Sequence, residues 1–120
     1  MLPNLVILYV DSVAASARFY ADLIGKAPVE SSATFAMFGL DSIMLGLWSR
    51  YTVAPAAGAA PGATEIAFTV ADRDSVAQVH ADWGARGLRI AQAPTDLDFG
   101  HTFVALDPDG HRLRVFAPAS

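Results

Sequence analysis

LYVDSVAASARFYADLIGK (residues 8–26) and FTVADRDSVAQVHADWGAR (residues 68–86) are two versions of one pattern. Set side by side without a gap, Val10 meets Val70, Ala17 meets Ala77, Ala21 meets Ala81 and Asp22 meets Asp82. Each stretch begins in a β-rich apolar run and continues with apolar residues at helical spacing. A repeat of this kind sets the order of everything around it.

Working outward, residues 5–10 are apolar and read as a strand. A helix follows from about Ser12 to Ile24, capped by Asp11 or Ser12, with Val13, Ala17, Tyr20, Ala21 and Ile24 on one face and Gly25 at its end. Three short strands come next, over 28–31, 34–38 and 42–48. The second half repeats the plan. Residues 65–70 form a strand, and Asp74 to Arg86 a helix with Val76, Val79 and Trp83 inward, ended by Gly87. Strands follow over 88–93, 102–106 and 112–116. The chain thus reads as an α+β protein of two βαβββ modules, residues 1–52 and 64–120. VAPAAGAAPGA (53–63) forms an Ala/Pro/Gly connection between them.

The last strand follows a turn signal in LDPDGHRLRVF (106–116). Successive side chains on a strand take opposite faces, so Arg112, Arg114 and Phe116 share one and Leu113 and Val115 the other. A single helix per module covers one face of each four-stranded sheet. The other face is left open, and large open apolar faces are rare in soluble monomers.

Composition narrows the function. The chain has 120 residues, 53% of them hydrophobic, and a net charge of −4. Its few Lys and Arg residues are scattered, which argues against nucleic acid as a partner. The absence of cysteine excludes disulfides and thiolate chemistry and fits the cytoplasm. MLPNLVILYVDS lacks a basic leading segment and reads as a strand rather than a signal peptide. No run approaches the roughly 18–20 apolar residues of a membrane span.

The paired modules, the FY of the first helix and the DPDG turn before the last strand resemble the vicinal oxygen chelate superfamily. That superfamily includes glyoxalase I, extradiol dioxygenases and bleomycin-binding proteins. PNLVILYV, GKAPV, LWS and DFGHTFVALDPDGHRLRV look most like the phenazine-antibiotic resistance proteins, which bind drugs without metal. The resemblance implies cupped mixed sheets and a homodimer. In catalytic members, ligand positions on the outer strands hold a metal ion. Here those positions carry Leu5, Met44 or Gly46, Glu65 and Arg114. Only Glu65 suits a cation, Arg114 repels one, and a catalytic zinc needs about three protein ligands. The resemblance therefore implies a site without metal or other cofactor. His80 and His111 are expected away from the site, and His101 is the one histidine in reach of it.

The same positions set which residues line the cup. Leu5, Ile7 and Tyr9 face it from the first strand, and Met44, Gly46 and Trp48 from the fourth. Glu65, Ala67 and Thr69 face it from the fifth, and Arg112, Arg114 and Phe116 from the eighth. Tyr9, Trp48 and Phe116, with Phe35 or Phe38, form aromatic walls. Met44 is an adaptable filler and Gly46 leaves room for a ring. Arg114 pairs either with a ligand carboxylate or with Glu65, because a buried arginine without a partner is costly. A flat aromatic acid, such as a phenazine carboxylate, meets these features at once. The reading is a protein that binds and sequesters a planar aromatic, phenazine- or quinoxaline-like small molecule. The alternative is a lyase-, isomerase- or dioxygenase-like enzyme of the superfamily, with Glu65 as base and Tyr9 or His101 as acid.

Overall fold

The unbroken apolar, β-rich run of the first strand produces β1 (Leu5–Val10) of the computed structural model, which describes residues 1–119. Leu8 and Val10 are buried, whereas Leu5, Ile7 and Tyr9 are each more than one-third exposed. α1 (Val13–Ile24) follows at once. Of the two candidate caps, Ser12 is the one used: its hydroxyl accepts from the Ala15 N–H at 3.1 Å. Gly25 closes the helix with φ at 78°, donating its N–H to the Ala21 carbonyl. Val13, Ser16 and Tyr20 are the buried positions, so Ser16 takes the place expected of Ala17.

β2 (Glu30–Ser31), β3 (Phe35–Leu40) and β4 (Ile43–Ser49) complete the first sheet, in the order β1-β4-β3-β2. β1 and β4 run parallel and the other pairs antiparallel. α1 packs on β3 and β4. Leu8, Leu47, Ala36, Leu45 and Phe38 form the core on that side. Each large side chain so removed from water contributes roughly 1.5–3 kcal/mol.

The chain divides into two compact units, Met1–Pro61 and a second beginning at Gly62. In the second, β5 (Glu65–Thr69), β6 (Arg89–Leu97), β7 (Gly100–Leu106) and β8 (Arg112–Pro118) form a sheet of order β5-β8-β7-β6. β5 and β8 are parallel. The helix α2 (Arg73–Ala85) begins one residue before the expected Asp74. Asp72 is the cap, its carboxylate accepting from both the N–H and the hydroxyl of Ser75 at 2.8 and 2.7 Å. These bonds hold the Asp72 carboxyl below the usual carboxylate range. Trp83 packs edge-on against Phe68 and Phe103, with centroids 5.6 and 5.5 Å apart. Val76, Leu113 and Val115 fill the same core.

β6 runs longer than expected because it carries register shifts between Ile90 and Gln92 and between Gln92 and Thr95. The DPDG turn is held by Asp107, which is buried. Its Oδ1 accepts from the N–H groups of Asp109 and His111 at 2.8 and 2.9 Å. Its N–H donates to the His111 carbonyl, and its own carbonyl accepts from Arg89 at 2.8 Å.

Gly100, at the start of β7, has φ of 151°, and a Cβ there would collide with the Ala117 carbonyl oxygen on the adjacent strand. Replacing Gly100 by Ala is therefore expected to cost more than about 3 kcal/mol, through backbone strain plus displacement of β8. Gly39→Ala, whose Cβ would meet nothing closer than Met44 Sδ at 3.9 Å, should stay within about 1 kcal/mol of wild type. Urea melts followed by circular dichroism measure both.

Candidate functional site

On the side of the first sheet away from α1, strand register sets three side chains in a row: Tyr9 beside Trp48 beside Phe35. Phe35 meets Trp48 edge-to-face, with centroids 6.0 Å apart. The next row is Ile7, Gly46 and Met37, and the next Leu5, Met44 and Gly39. Of the two phenylalanines considered for this face, Phe35 is the one on it. Phe38 is fully buried on the opposite face, beside Leu45. The two residues differ by an odd number of positions, so they could not share a face.

The room expected at Gly46 is taken by the chain itself. A Cβ there would lie 3.1 Å from Phe35 Cζ and 3.2 Å from Ile7 Cγ1. Gly46 thus lets the Phe35 ring lie down against the sheet.

In the second unit, the face away from α2 carries Glu65, Arg112, Arg114, Phe116 and Thr102. Arg114 pairs with Glu65 along one edge of its guanidinium: Nε donates to Oε2 at 3.0 Å and Nη2 to Oε1 at 3.2 Å. The carboxylate partner of Arg114 is thus supplied by the chain. Nη1 donates to Thr102 Oγ1 at 3.2 Å, and Thr102, itself buried, donates to the Val115 carbonyl at 2.9 Å. The guanidinium carbon lies 5.4 Å from the centroid of the Phe99 ring, which in turn meets Phe116 edge-on at 5.6 Å. Side-chain exposure is 14% for Arg114 and 38% for Glu65. Arg112 is exposed and borders a cleft of about 430 Å³ formed with residues 62–65.

Thr102 and Phe99 were not among the expected site residues. Thr102 was legible in principle, because alternation along β7 puts it opposite Phe103. Phe99 belongs to a loop, where no period applies.

The histidines lie elsewhere. His80 packs against Phe103 at 5.1 Å between centroids, and His111 is buried beyond the turn. His101 shares the face of Phe103, toward α2, and so does not stand beside Glu65 as a partner in acid–base work. Its Nδ1 is 2.8 Å from Asp96 Oδ1, and a carboxylate only accepts, so Nδ1 carries the proton. Arg73 also donates to Asp96, at 2.6 Å.

A divalent metal does not suit these residues. Both oxygens of Glu65 accept from Arg114, whose fixed positive charge would oppose a second cation. Among the described residues, no group of three or more His, Asp or Glu is arranged to hold a metal ion. No helix among them is long and apolar enough to cross a membrane.

Residues 3–115 match the model of the Glyoxalase/Bleomycin resistance protein/Dioxygenase superfamily. The phenazine antibiotic resistance protein EhpR of Enterobacter agglomerans is 30% identical over 118 residues, spanning 94% of this chain and 89% of its own. The solution structure of protein ATC0852 from Agrobacterium tumefaciens is 48% identical, covers 100% of this chain and 99% of that one, and superposes with a TM-score of 0.91. A glyoxalase-related enzyme from Fulvimarina pelagi, 23% identical, shares the fold at a TM-score of 0.83 over 98% of this chain and 88% of its own.

Hydrogen bonds from His101 and then Arg73 hold the Asp96 carboxyl below the usual carboxylate range. A depressed folded-state pKa contributes stability above the unfolded value, near 3.9, which is lost as pH falls through the folded value. Asp96→Asn should therefore be less stable than wild type at pH 6. The gap should close as pH falls through the depressed folded-state value and the Asp96 carboxyl protonates, as read from urea midpoints taken at successively lower pH.

Proposed function

Because the chain belongs to the glyoxalase/bleomycin resistance protein/dioxygenase superfamily, we propose that it is a metal-independent binding protein that holds a planar aromatic small molecule and keeps it from its targets. The molecule is of the phenazine or quinoxaline kind, an antibiotic or metabolite. The observation that carries this reading is the row of Tyr9, Trp48 and Phe35 on the open face of the first sheet. Three aromatic side chains side by side, partly open to water, offer a flat ring the offset and edge contacts that aromatic pairs prefer. Isolated exposed apolar residues need no explanation, but a contiguous aromatic face does.

The ligand-binding residues proposed on the first unit are Tyr9, Phe35, Met44 and Trp48, with Gly46 acting through the Phe35 ring that lies across it; on the second unit, taken by itself, Glu65, Arg114 and Phe116 are proposed. Met44 adapts its unbranched side chain to more than one ring shape. The similarity to a phenazine antibiotic resistance protein supports the choice of ligand class. Binding without turnover asks for no nucleophile and no free base, and Glu65 is engaged by Arg114. Homodimer formation belongs to the same proposal, since a second copy would shield apolar surface from water. So does action in the cytoplasm, which the lack of cysteine fits.

Tryptophan fluorescence tests this reading. The chain has two tryptophans, and Trp83 is buried against Phe68 and Phe103. Titrating a phenazine into protein treated with a chelator should give saturable quenching carried by Trp48 and lost in Trp48→Phe. Trp48→Ala should raise Kd about tenfold, the equivalent of roughly 1.4 kcal/mol. Gly46→Ala, by lifting the Phe35 ring, should also weaken binding while shifting the melting temperature by less than about 3 °C. A panel of charged and uncharged planar aromatics that produces no saturable change would sink the proposal.

A further inference from the structure

We propose that a cleft within the second unit, sharing no residue with the aromatic row of the first, hydrolyses small uncharged esters, with His101 as general base toward water. The cleft, of about 550 Å³, lies between the start of α2, the β6–β7 hairpin and the end of β8. Asp72, Arg73, Asp96, Leu97, His101 and Pro118 are among its walls.

The state of His101 carries the proposal. Asp96 and His101 are cross-strand partners in the hairpin, and Nδ1 donates to Asp96 Oδ1 at 2.8 Å. A neutral imidazole held this way has its lone pair on Nε2. No described residue bonds to that atom. Among the described residues, the one fully buried polar side-chain atom without a partner is Gln92 Oε1. Nε2 therefore keeps contact with solvent, although the side chain as a whole is only 14% exposed. A base oriented by a carboxylate, on a strand that lines a cleft, is the geometry proton abstraction asks for. Gly100, pressed against the Ala117 carbonyl, fixes the start of that strand.

Charge and lining name the substrate. Arg73 gives Asp96 a bond from Nη1 at 2.6 Å, while Nε and Nη2 have no partner among the described residues. This guanidinium supplies positive charge for a carbonyl oxygen that becomes an oxyanion. Asp72 and Asp96 are both ionised, so with His101 neutral the lining carries one negative charge more than Arg73 offsets. An anionic substrate is thereby disfavoured. Among the described residues, no hydroxyl side chain lines the cleft, and the chain has no cysteine. The attacking group is therefore water.

The oxygen of water bonds to the ester carbonyl carbon as one of its protons passes to Nε2. The carbonyl electron pair moves onto oxygen. When the adduct collapses, the bond to the leaving oxygen breaks and that oxygen takes the proton from Nε2. An acid and an alcohol result, and His101 returns neutral. An open cleft gives little help to a poor leaving group, so esters of phenols and other acidic alcohols suit it.

Hydrolysis of p-nitrophenyl acetate by wild type, His101→Gln, Asp96→Asn and His80→Gln tests this, with circular dichroism melts confirming that each is folded at the assay pH. Wild type should outpace an equal concentration of free imidazole, and turn over more slowly in D2O than in H2O, because a proton moves in the transition state. His101→Gln should lower kcat about hundredfold. Asp96→Asn, which frees the imidazole to take the other tautomer, should lower kcat about tenfold with KM little changed. His80, which packs on Phe103 and does not line the cleft, should be dispensable. Turnover no faster than imidazole, full activity in His101→Gln or Asp96→Asn, or equal rates in the two solvents would overturn the inference. None of these results touches ring binding by the first unit.

Discussion

The buried carboxylate of Asp107 is the constraint on which the second unit depends. By taking two backbone N–H groups at the turn, it sets the residue at which β8 begins. A strand has a period of two, so a slip of one position would exchange its faces completely. Arg112 and Arg114 would then be driven toward Trp83 and Phe103, while Leu113 and Val115 turned to the open side. Arg89 adds a second tie, from β6 to the same residue's carbonyl. An apolar residue at 107 would leave both N–H groups unsatisfied at a cost of about 1–3 kcal/mol each. The Glu65–Arg114–Thr102 arrangement is downstream of that turn. It exists only in the register the turn selects.

The two units show how one plan accommodates different surfaces. Their helices cover equivalent faces, and their first and fourth strands pair in parallel in both. Yet the uncovered face of the first sheet is aromatic and aliphatic, and that of the second carries an ion pair and a threonine. The core-facing residues are interchangeable in kind, Leu and Val with an aromatic ring from the helix. The outward alternates are free of that demand and can be given over to chemistry. Similarity in fold to glyoxalase-related proteins therefore says little about reaction, and the side chains on these faces say more.

Much of the architecture was legible from pattern alone. The internal repeat and the strand alternation yield the element order, and parity alone assigns Leu8, Leu47, Leu113 and Val115 to the cores. The departures have specific causes. α2 begins at Arg73 rather than Asp74, because Asp72 caps it through both bonding groups of Ser75. β6 outruns its expected length because irregular pairing breaks the alternation that would reveal it. At the site, periodicity tells which face a residue takes but not which neighbour it meets. Phe35 could be chosen over Phe38 only once the register of β3 against β4 was known. The bond from Arg114 to Thr102 needs the register of β8 against β7. Gly46 reads as open space, and only three-dimensional packing reveals that Phe35 lies across it.

The parallel pairs have a consequence for how the chain is made. In each sheet the earliest strand is an edge whose single neighbour is the latest. As the chain leaves the ribosome, β1 must wait for β4, and β5 for β8, before either forms a ladder. Such non-local pairings close slowly. The wait is unequal in risk. β1 is apolar on both sides, whereas β5 alternates Glu65, Ala67 and Thr69 with Ile66 and Phe68. A nascent β5 thus carries its own polar side against premature association. The sticky β1 can be hidden as soon as β4 emerges, well before any of the second unit's strands has a partner.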